Sequence, residues 1–205
     1  MIEASNISKT YHNRKILDSI CVTVEPNSMT ILTGESGKGK TTLINILSLI
    51  ETQDEGTLTF NGISNPTARQ VMLFRRHSIA YLFQNYGLID EYTVEKNLQL
   101  SFAYKKPKIR KDAMYYALAQ VGLEGFEKRR VYELSGGEQQ RIALARVLLK
   151  DASYIFADEP TGNLDPKNRD IVMNILRNQV ASGKGVVLAT HDAKILSGAD
   201  NCINL

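Results

Sequence analysis

Cysteine is nearly absent from this chain of 205 residues. Only Cys21 and Cys202 occur, far apart and in no ligand-like spacing. That argues against a disulfide framework or a thiolate metal site, and both read as small buried apolar side chains of a reducing compartment. A surplus of charge is also lacking. The formal net charge is +3 with 23% charged residues, too mild for a nucleic-acid binder, where a clustered basic face is expected. No apolar run is long enough to span a membrane; the longest, TTLINILSLI, is short and carries polar residues. The N-terminal MIEASNISKTYHNRKIL lacks the apolar core of a signal peptide. The expected location is therefore the cytosol, with any membrane role depending on a partner that supplies the spans. Internal repeats and low-complexity tracts are missing too. What remains, 43% apolar residues, suffices for one domain with a substantial core.

Short strands open the chain: MIEASNISKTY, ILDSICVTV, SMTILTG and the alternating GTLTFNG. Three later runs, SIAYLFQ (78–84), SYIFADE (153–159) and GVVLATH (185–191), are apolar on both faces. That pattern fits central strands of a parallel sheet. Each run ends in polar residues: Gln84, Asp158 with Glu159, and His191. Ligands of open α/β sheets bind beyond the carboxyl ends of the strands. Between them, TVEKNLQLSFAY and RKDAMYYALAQVGL have helical spacing, which reads as a helical insertion over about 85–136. GGEQQRIALARVLLK (136–150) and PKNRDIVMNILRNQVASGKG, the latter stopped by Gly183, are further helices. The core with its β region then spans about 1–84 and 137–205. The basic clusters YKKPKIRK (104–111) and KRR (128–130) lack interleaved stacking aromatics and read as solvated surface rather than a nucleic-acid or lipid site.

GESGKGKTT, residues 34–42, matches the Walker A pattern between an apolar strand and a helix. Gly34, Gly37 and Gly39 let backbone N–H groups approach phosphate oxygens closely. The helix start supplies free donors and a partial positive charge. Lys40 has a fixed place beside Gly39 and is assigned to the β and γ phosphates, and the Thr41 hydroxyl to Mg²⁺. Glu35, Ser36 and Thr42 complete the nucleotide loop. Lys38 falls in the variable part of the pattern. It either points to solvent, the preferred reading, or adds an outer charge near the nucleotide.

Asp158 and Glu159 close an apolar strand, and neighbours on a strand point in opposite directions. Asp158 fits the Walker B task of holding the magnesium shell. Glu159 fits orientation and deprotonation of an attacking water. In LSGGEQQR, Ser135, Gly136, Gly137 and Glu138 lead into a helix, a second anion site that one nucleotide in one chain does not need.

LSGGE resembles the signature motif of the ABC-type ATPases, and the family's other motifs follow in order along essentially the whole chain. The resemblance implies an α/β P-loop NTPase cassette: a mainly parallel sheet, an N-terminal antiparallel β region and a helical subdomain insertion. It implies that Tyr11 stacks on adenine and that Gln84 senses magnesium and the γ phosphate. Asp165 of DEPTGNLD is implied as the D-loop aspartate, and His191 as the switch histidine. His12 and His77 match no motif. The family implies ATP and Mg²⁺ as cofactors and a head-to-tail homodimer. In that dimer Ser135, Gly136 and Gly137 of one copy close over ATP on the other. It also implies integral membrane permease subunits as partners, docked near Gln84 to Asp90, so that the chain sits peripherally on the inner face of the cell membrane. PTGNLD and LSGGEQQRIALAR look most like the lipoprotein-release and macrolide-exporter group. LFQNYGLIDEYTVEKNL looks similar to ATPases of lactococcin 972-type bacteriocin export. Two features depart from the family: Lys38 stands where a small residue is usual, and NCINL ends the chain without the usual final hairpin or regulatory domain.

The expected function is thus an ATPase driving an exporter of a peptide, lipoprotein or drug-like substrate. A non-transport mechanotransmission role, as in the division-linked members of the group, has identical chemistry. Import differs only in the partner. A soluble ABC ATPase acting on ribosomes or DNA fits less well, since it calls for two cassettes in one chain or a long coiled-coil insertion.

Overall fold

A computed structural model describes residues 1–102, 107–162 and 164–205. The N-terminal strands β1 (Ile2–Tyr11), β2 (Arg14–Val24), β4 (Glu55–Phe60) and β5 (Ile63–Ser64) form an antiparallel sheet in the order β2-β1-β4-β5. A second, parallel sheet of five strands has the order β6-β7-β8-β3-β9. Its members are β3 (Met29–Thr33), β6 (Ile79–Leu82), β7 (Tyr154–Asp158), β8 (Gly185–Ala189) and β9 (Asn201–Asn204).

The parallel strands are apolar on both faces because each face has its own core. Alternation at period two divides them. Ile155, Ala157, Val186 and Leu188 face one cluster, built with helices α3 (Val94–Gln99), α4 (Pro107–Gln120), α5 (Gly136–Lys150) and α6 (Pro166–Ala181). Phe156, Val187, Ala189 and Leu32 face the other, built with α1 (Lys40–Leu47) and the antiparallel sheet. Helix α1 is thus clamped between the two sheets, with Leu43, Ile44, Ile46 and Leu47 fully buried. That packing fixes the position of its N-terminus. Between β6 and α5 the described elements are α3, α4 and two short 3₁₀ turns at 100–102 and 131–133.

Three findings differ from the sequence reading. First, both cysteines are exposed, not buried. Cys21 lies on the outer face of β2, where the Asn6 backbone N–H donates to its Sγ, and Cys202 sits on edge strand β9. Second, the closing NCINL, which suggests no element by pattern, adds β9 parallel to β3, and the Leu205 N–H donates to the Thr33 carbonyl. Third, α2 (Ala68–His77) has no counterpart in the sequence reading; it packs Val71 and Phe74 on the core and leaves Met72 and Leu73 exposed. Among the described residues, no helix is long and apolar enough to cross a membrane. Residues 104–106 of the basic stretch 104–111 fall outside the described residues, and Lys128, Arg129 and Arg130 are exposed.

Candidate functional site

All five strands of the inner sheet run the same way, so their carboxyl ends share one edge. The loop after β3 arrives there, as do Gln84 beyond β6, Glu159 beyond β7 and His191 beyond β8. A cavity of about 530 Å³ opens on this edge, lined by Tyr11, Ile16, Ser36, Gly37, Gly39, Lys40, Thr41, Thr42, Gln84, Glu159, Gly162 and His191.

The loop's geometry follows from its glycines. Gly39 caps α1 with φ +94, and an added Cβ would stand 2.8 Å from Leu17 Cδ2 and 3.0 Å from Ile16 Cγ2. Only glycine meets both conditions there. The first turn of α1 carries no acidic residue, so its free N–H groups face the cavity without a competing anion. Lys40 is 8% exposed and its Nζ donates to the carbonyls of Gly34 (2.8 Å) and Glu35 (2.9 Å). Lys38 is exposed and does not line the cavity.

Behind Thr41 lies Asp158, 5% exposed at the end of β7. Burial pushes its carboxyl above the ordinary carboxylate range; a hydrogen bond from Thr41 opposes this, neighbouring Glu159 adds to it, and Lys40 opposes it. Among the described residues, no group of three or more His, Cys, Asp or Glu could hold a metal alone. A hydroxyl (Thr41), a carboxylate (Asp158) and an amide oxygen (Gln84) are nonetheless the hard oxygen donors that suit Mg²⁺. That ion binds through one or two carboxylates plus substrate phosphates rather than in an all-protein cage.

Glu159 turns out of the sheet in the left-handed region, φ +45. Its N–H still donates to the Ala189 carbonyl at 2.9 Å. Its Oε1 lies 2.8 Å from His191 Nδ1, and the Thr190 hydroxyl donates to its Oε2 at 3.4 Å. The Glu159 side chain is 13% exposed and that of His191 65%. Carboxylate and imidazole thus stand at the mouth of the same cavity as the phosphate loop.

The four assigned residues of the signature turn lie elsewhere. Ser135 caps α5 in a capping box: its N–H and hydroxyl donate to Glu138 Oε2, both at 2.8 Å, and its Oγ accepts from the Glu138 N–H. Those bonds hold the Glu138 carboxyl below its ordinary range. Gly136 and Gly137 follow in the first turn of α5. None of the four lines the phosphate-loop cavity. Asp165 likewise caps α6, accepting from the Asn168 N–H at 3.0 Å. The signature and D-loop residues therefore form a second surface. Sequence reasoning missed Ile16 and Gly162 at the cavity; Ile16 carries no motif signal, whereas Gly162 lies within DEPTGNLD.

A larger cavity, about 790 Å³, lies between α2, β6 and α5, lined by Met72, Arg75, Phe83, Leu100, Arg146 and Lys150 among others. Neither the loop 34–42 nor the strand-end carboxylates line it.

Residues 17–162 match the family model described as ABC transporter. The chain is 38% identical, over its whole length and 86% of the relative, to an uncharacterized ABC transporter ATP-binding protein of Mycobacterium tuberculosis. It is 35% identical to the lipoprotein-releasing system ATP-binding protein LolD of Aquifex aeolicus, covering 95% of this chain and 89% of that one. To the macrolide export ATP-binding/permease protein MacB of Chlorobaculum tepidum it is 36% identical over its full length, but spans only 33% of that protein. Among solved structures, the dimeric bacterial ABC transporter cassette MJ0796 superposes with a TM-score of 0.91 at 30% identity, covering 100% of this chain and 94% of that one. The same cassette is also known as a dimer in a post-hydrolysis state bound to ADP and Pi, with a TM-score of 0.91, 29% identity and the same coverage.

Proposed function

Because this chain belongs to the ABC transporter ATP-binding family, whose members are ATP-hydrolysing cassettes, we propose that it powers a membrane permease of the exporter group by dimerising around two ATP molecules. The observation that carries this reading is the separation of two half-sites. The phosphate loop, Gln84, Glu159 and His191 share one cavity, whereas Ser135, Gly136 and Gly137 lie outside it. A second copy, placed head to tail, would bring its signature turn to the open side of that cavity. That the MJ0796 cassette is dimeric supports a two-copy assembly.

In this reading the N-terminus of α1 and the loop N–H groups hold the phosphates, and Lys40 exchanges its two carbonyl partners for phosphate oxygens. Thr41, Asp158 and Gln84 would hold Mg²⁺, which when bound neutralises phosphate charge. Glu159 accepts the proton of the attacking water, and His191, already hydrogen-bonded to it, orients that carboxylate and reaches toward the γ phosphate. ATP favours the closed dimer and hydrolysis removes that preference, so each cycle delivers a conformational change. The 790 Å³ groove, close to Phe83 and Gly87, is the proposed seat of a permease helix. Residues 85–136 are the proposed helical subdomain that swings the signature turn. The relatives named for lipoprotein release and macrolide export favour the exporter assignment.

Affinity purification from detergent-solubilised native membranes tests this. A multi-span permease should co-purify. Recovery of ribosomal or DNA-repair proteins without any membrane protein would overturn the transporter reading and leave the ATPase chemistry standing.

A further inference from the structure

We propose that Glu51 is a positioning residue for the adenine platform: it latches the Tyr11 hydroxyl and holds the ring in its nucleotide-stacking orientation. The inference rests on the reading of Tyr11 as that platform. No sequence motif marks Glu51.

Tyr11 is the last residue of β1, at a hairpin tip where His12 and Asn13 both adopt positive φ. It is 39% exposed and lines the cavity beside the phosphate loop. A ring at an exposed hairpin tip has several rotamers, and stacking on a base requires one of them. Ordering it on binding carries an entropic cost that a pre-formed hydrogen bond removes.

Such a bond exists. The Tyr11 hydroxyl donates to Glu51 Oε1. Glu51 is itself held by two further contacts. Its N–H donates to the Asn45 carbonyl of α1 at 3.1 Å. Its carboxylate pairs with Lys9 at 3.5 Å, and its side chain is only 24% exposed. Lys9 in turn donates to the Thr52 carbonyl (2.7 Å) and Asp54 Oδ1 (2.9 Å), while the Thr10 N–H donates to Asp54 Oδ2 (2.8 Å). The segment after α1 therefore grips each of the last three residues of β1. Thr42, in the first turn of α1, lines the same cavity as Tyr11. Helix α1 thus presents its N-terminus to the phosphates and, through Glu51 beyond its C-terminus, sets the distance from there to the adenine ring.

The test compares calorimetric binding of Mg-ATP with that of Mg-tripolyphosphate, which has no base, to the full chain. Glu51→Ala should weaken ATP binding about three- to tenfold and leave tripolyphosphate binding unchanged. Glu51→Gln, which keeps an acceptor oxygen, should retain most of the ATP affinity. Tyr11→Phe removes only the hydroxyl and keeps the Lys9–Glu51 pair, so it probes the latch even if Glu51→Ala fails to fold. It should reproduce the ATP-specific loss, and it should add nothing in the Glu51→Ala background. Equal weakening of both ligands, or unchanged ATP affinity in Glu51→Ala and Tyr11→Phe, would overturn the inference. If Tyr11→Ala binds ATP like the parent protein, the stacking reading falls and takes this inference with it. If Tyr11→Ala is weakened but Tyr11→Phe and Glu51→Ala are not, only the inference falls.

Discussion

Replacing Lys40 or Lys38 by alanine, one at a time, separates two lysines that stand two positions apart. The Lys40 ammonium is buried under the loop and makes two charged hydrogen bonds to backbone carbonyls. On nucleotide binding those neutral acceptors give way to anionic ones, and charge-assisted bonds contribute about 1.5–3 kcal/mol each. Truncation should therefore cost roughly 3 kcal/mol of binding, about a hundredfold in Kd. It should also loosen the free loop, lowering Tm by about 2–4 °C for each kcal/mol lost. Lys38 is exposed, and its backbone N–H donates to the Glu35 carbonyl, a bond that alanine preserves. Its charge acts on the phosphates through water. Lys38→Ala should then change Kd by less than about threefold, and that difference should fade at high salt, where the screening length shrinks to about 3 Å. Titration calorimetry with Mg-ATP at low and high salt reads both effects. A larger loss in Lys38→Ala than in Lys40→Ala would refute the assignment of the phosphate-holding lysine.

Other substitutions probe neighbouring parts of the site. Gly39→Ala combines a left-handed backbone with a Cβ 2.8 Å from Leu17 Cδ2. It should destabilise the chain by about 2–4 kcal/mol and abolish ATP binding, as thermal melts and calorimetry would show. Asp158 has a raised carboxyl pKa because it is buried. The folded state therefore holds this proton at pH values where the unfolded chain has released it, so Asp158 on its own makes the nucleotide-free protein less stable as pH rises through the raised value. Asp158→Asn should accordingly raise the Tm of the nucleotide-free protein at neutral pH while abolishing Mg²⁺-dependent turnover; a lower Tm would contradict the burial argument. In the proposed metal site, proton and Mg²⁺ compete for that carboxylate, so Mg²⁺ affinity should decline on acidification at a higher pH than for an ordinary aspartate. Titrating Mg²⁺ dependence between neutral and mildly acidic pH checks this.

Much of this architecture was readable because apolar runs report burial on two faces. SYIFADE and GVVLATH read as central strands, and β7 and β8 are buried at every residue. The phosphate loop was readable because glycine spacing there answers a steric demand seen at Gly39. Elements at edges were not. β9 is largely exposed, so NCIN carries no apolar period. Helix α2 buries none of its residues fully, and its short apolar run VMLF is flanked by arginines and a histidine that mask it. Cysteine's apolar preference misled for Cys21 and Cys202, because sheet edges and outer faces accept a small side chain without burying it. At the site, motif order pointed to Tyr11, Gln84, Glu159 and His191, which do meet in space. The Glu51–Tyr11 bond joins residues 40 positions apart with no local pattern to announce it. Within a single chain Ser135 and Asp165 are helix caps; in the proposed dimer the cavity they would complete belongs to another copy.

That second copy is the central claim, and one measurement addresses it directly. The mass of the Glu159→Gln protein can be read by light scattering behind size exclusion, with and without Mg-ATP. Removing the carboxylate proposed to accept the water's proton should leave ATP bound and unhydrolysed. The account predicts the 22.9 kDa chain alone without nucleotide and twice that mass with it, with the shift lost when Lys40 is also replaced. A Glu159→Gln protein that binds ATP yet keeps the mass of one chain would contradict the shared-site account.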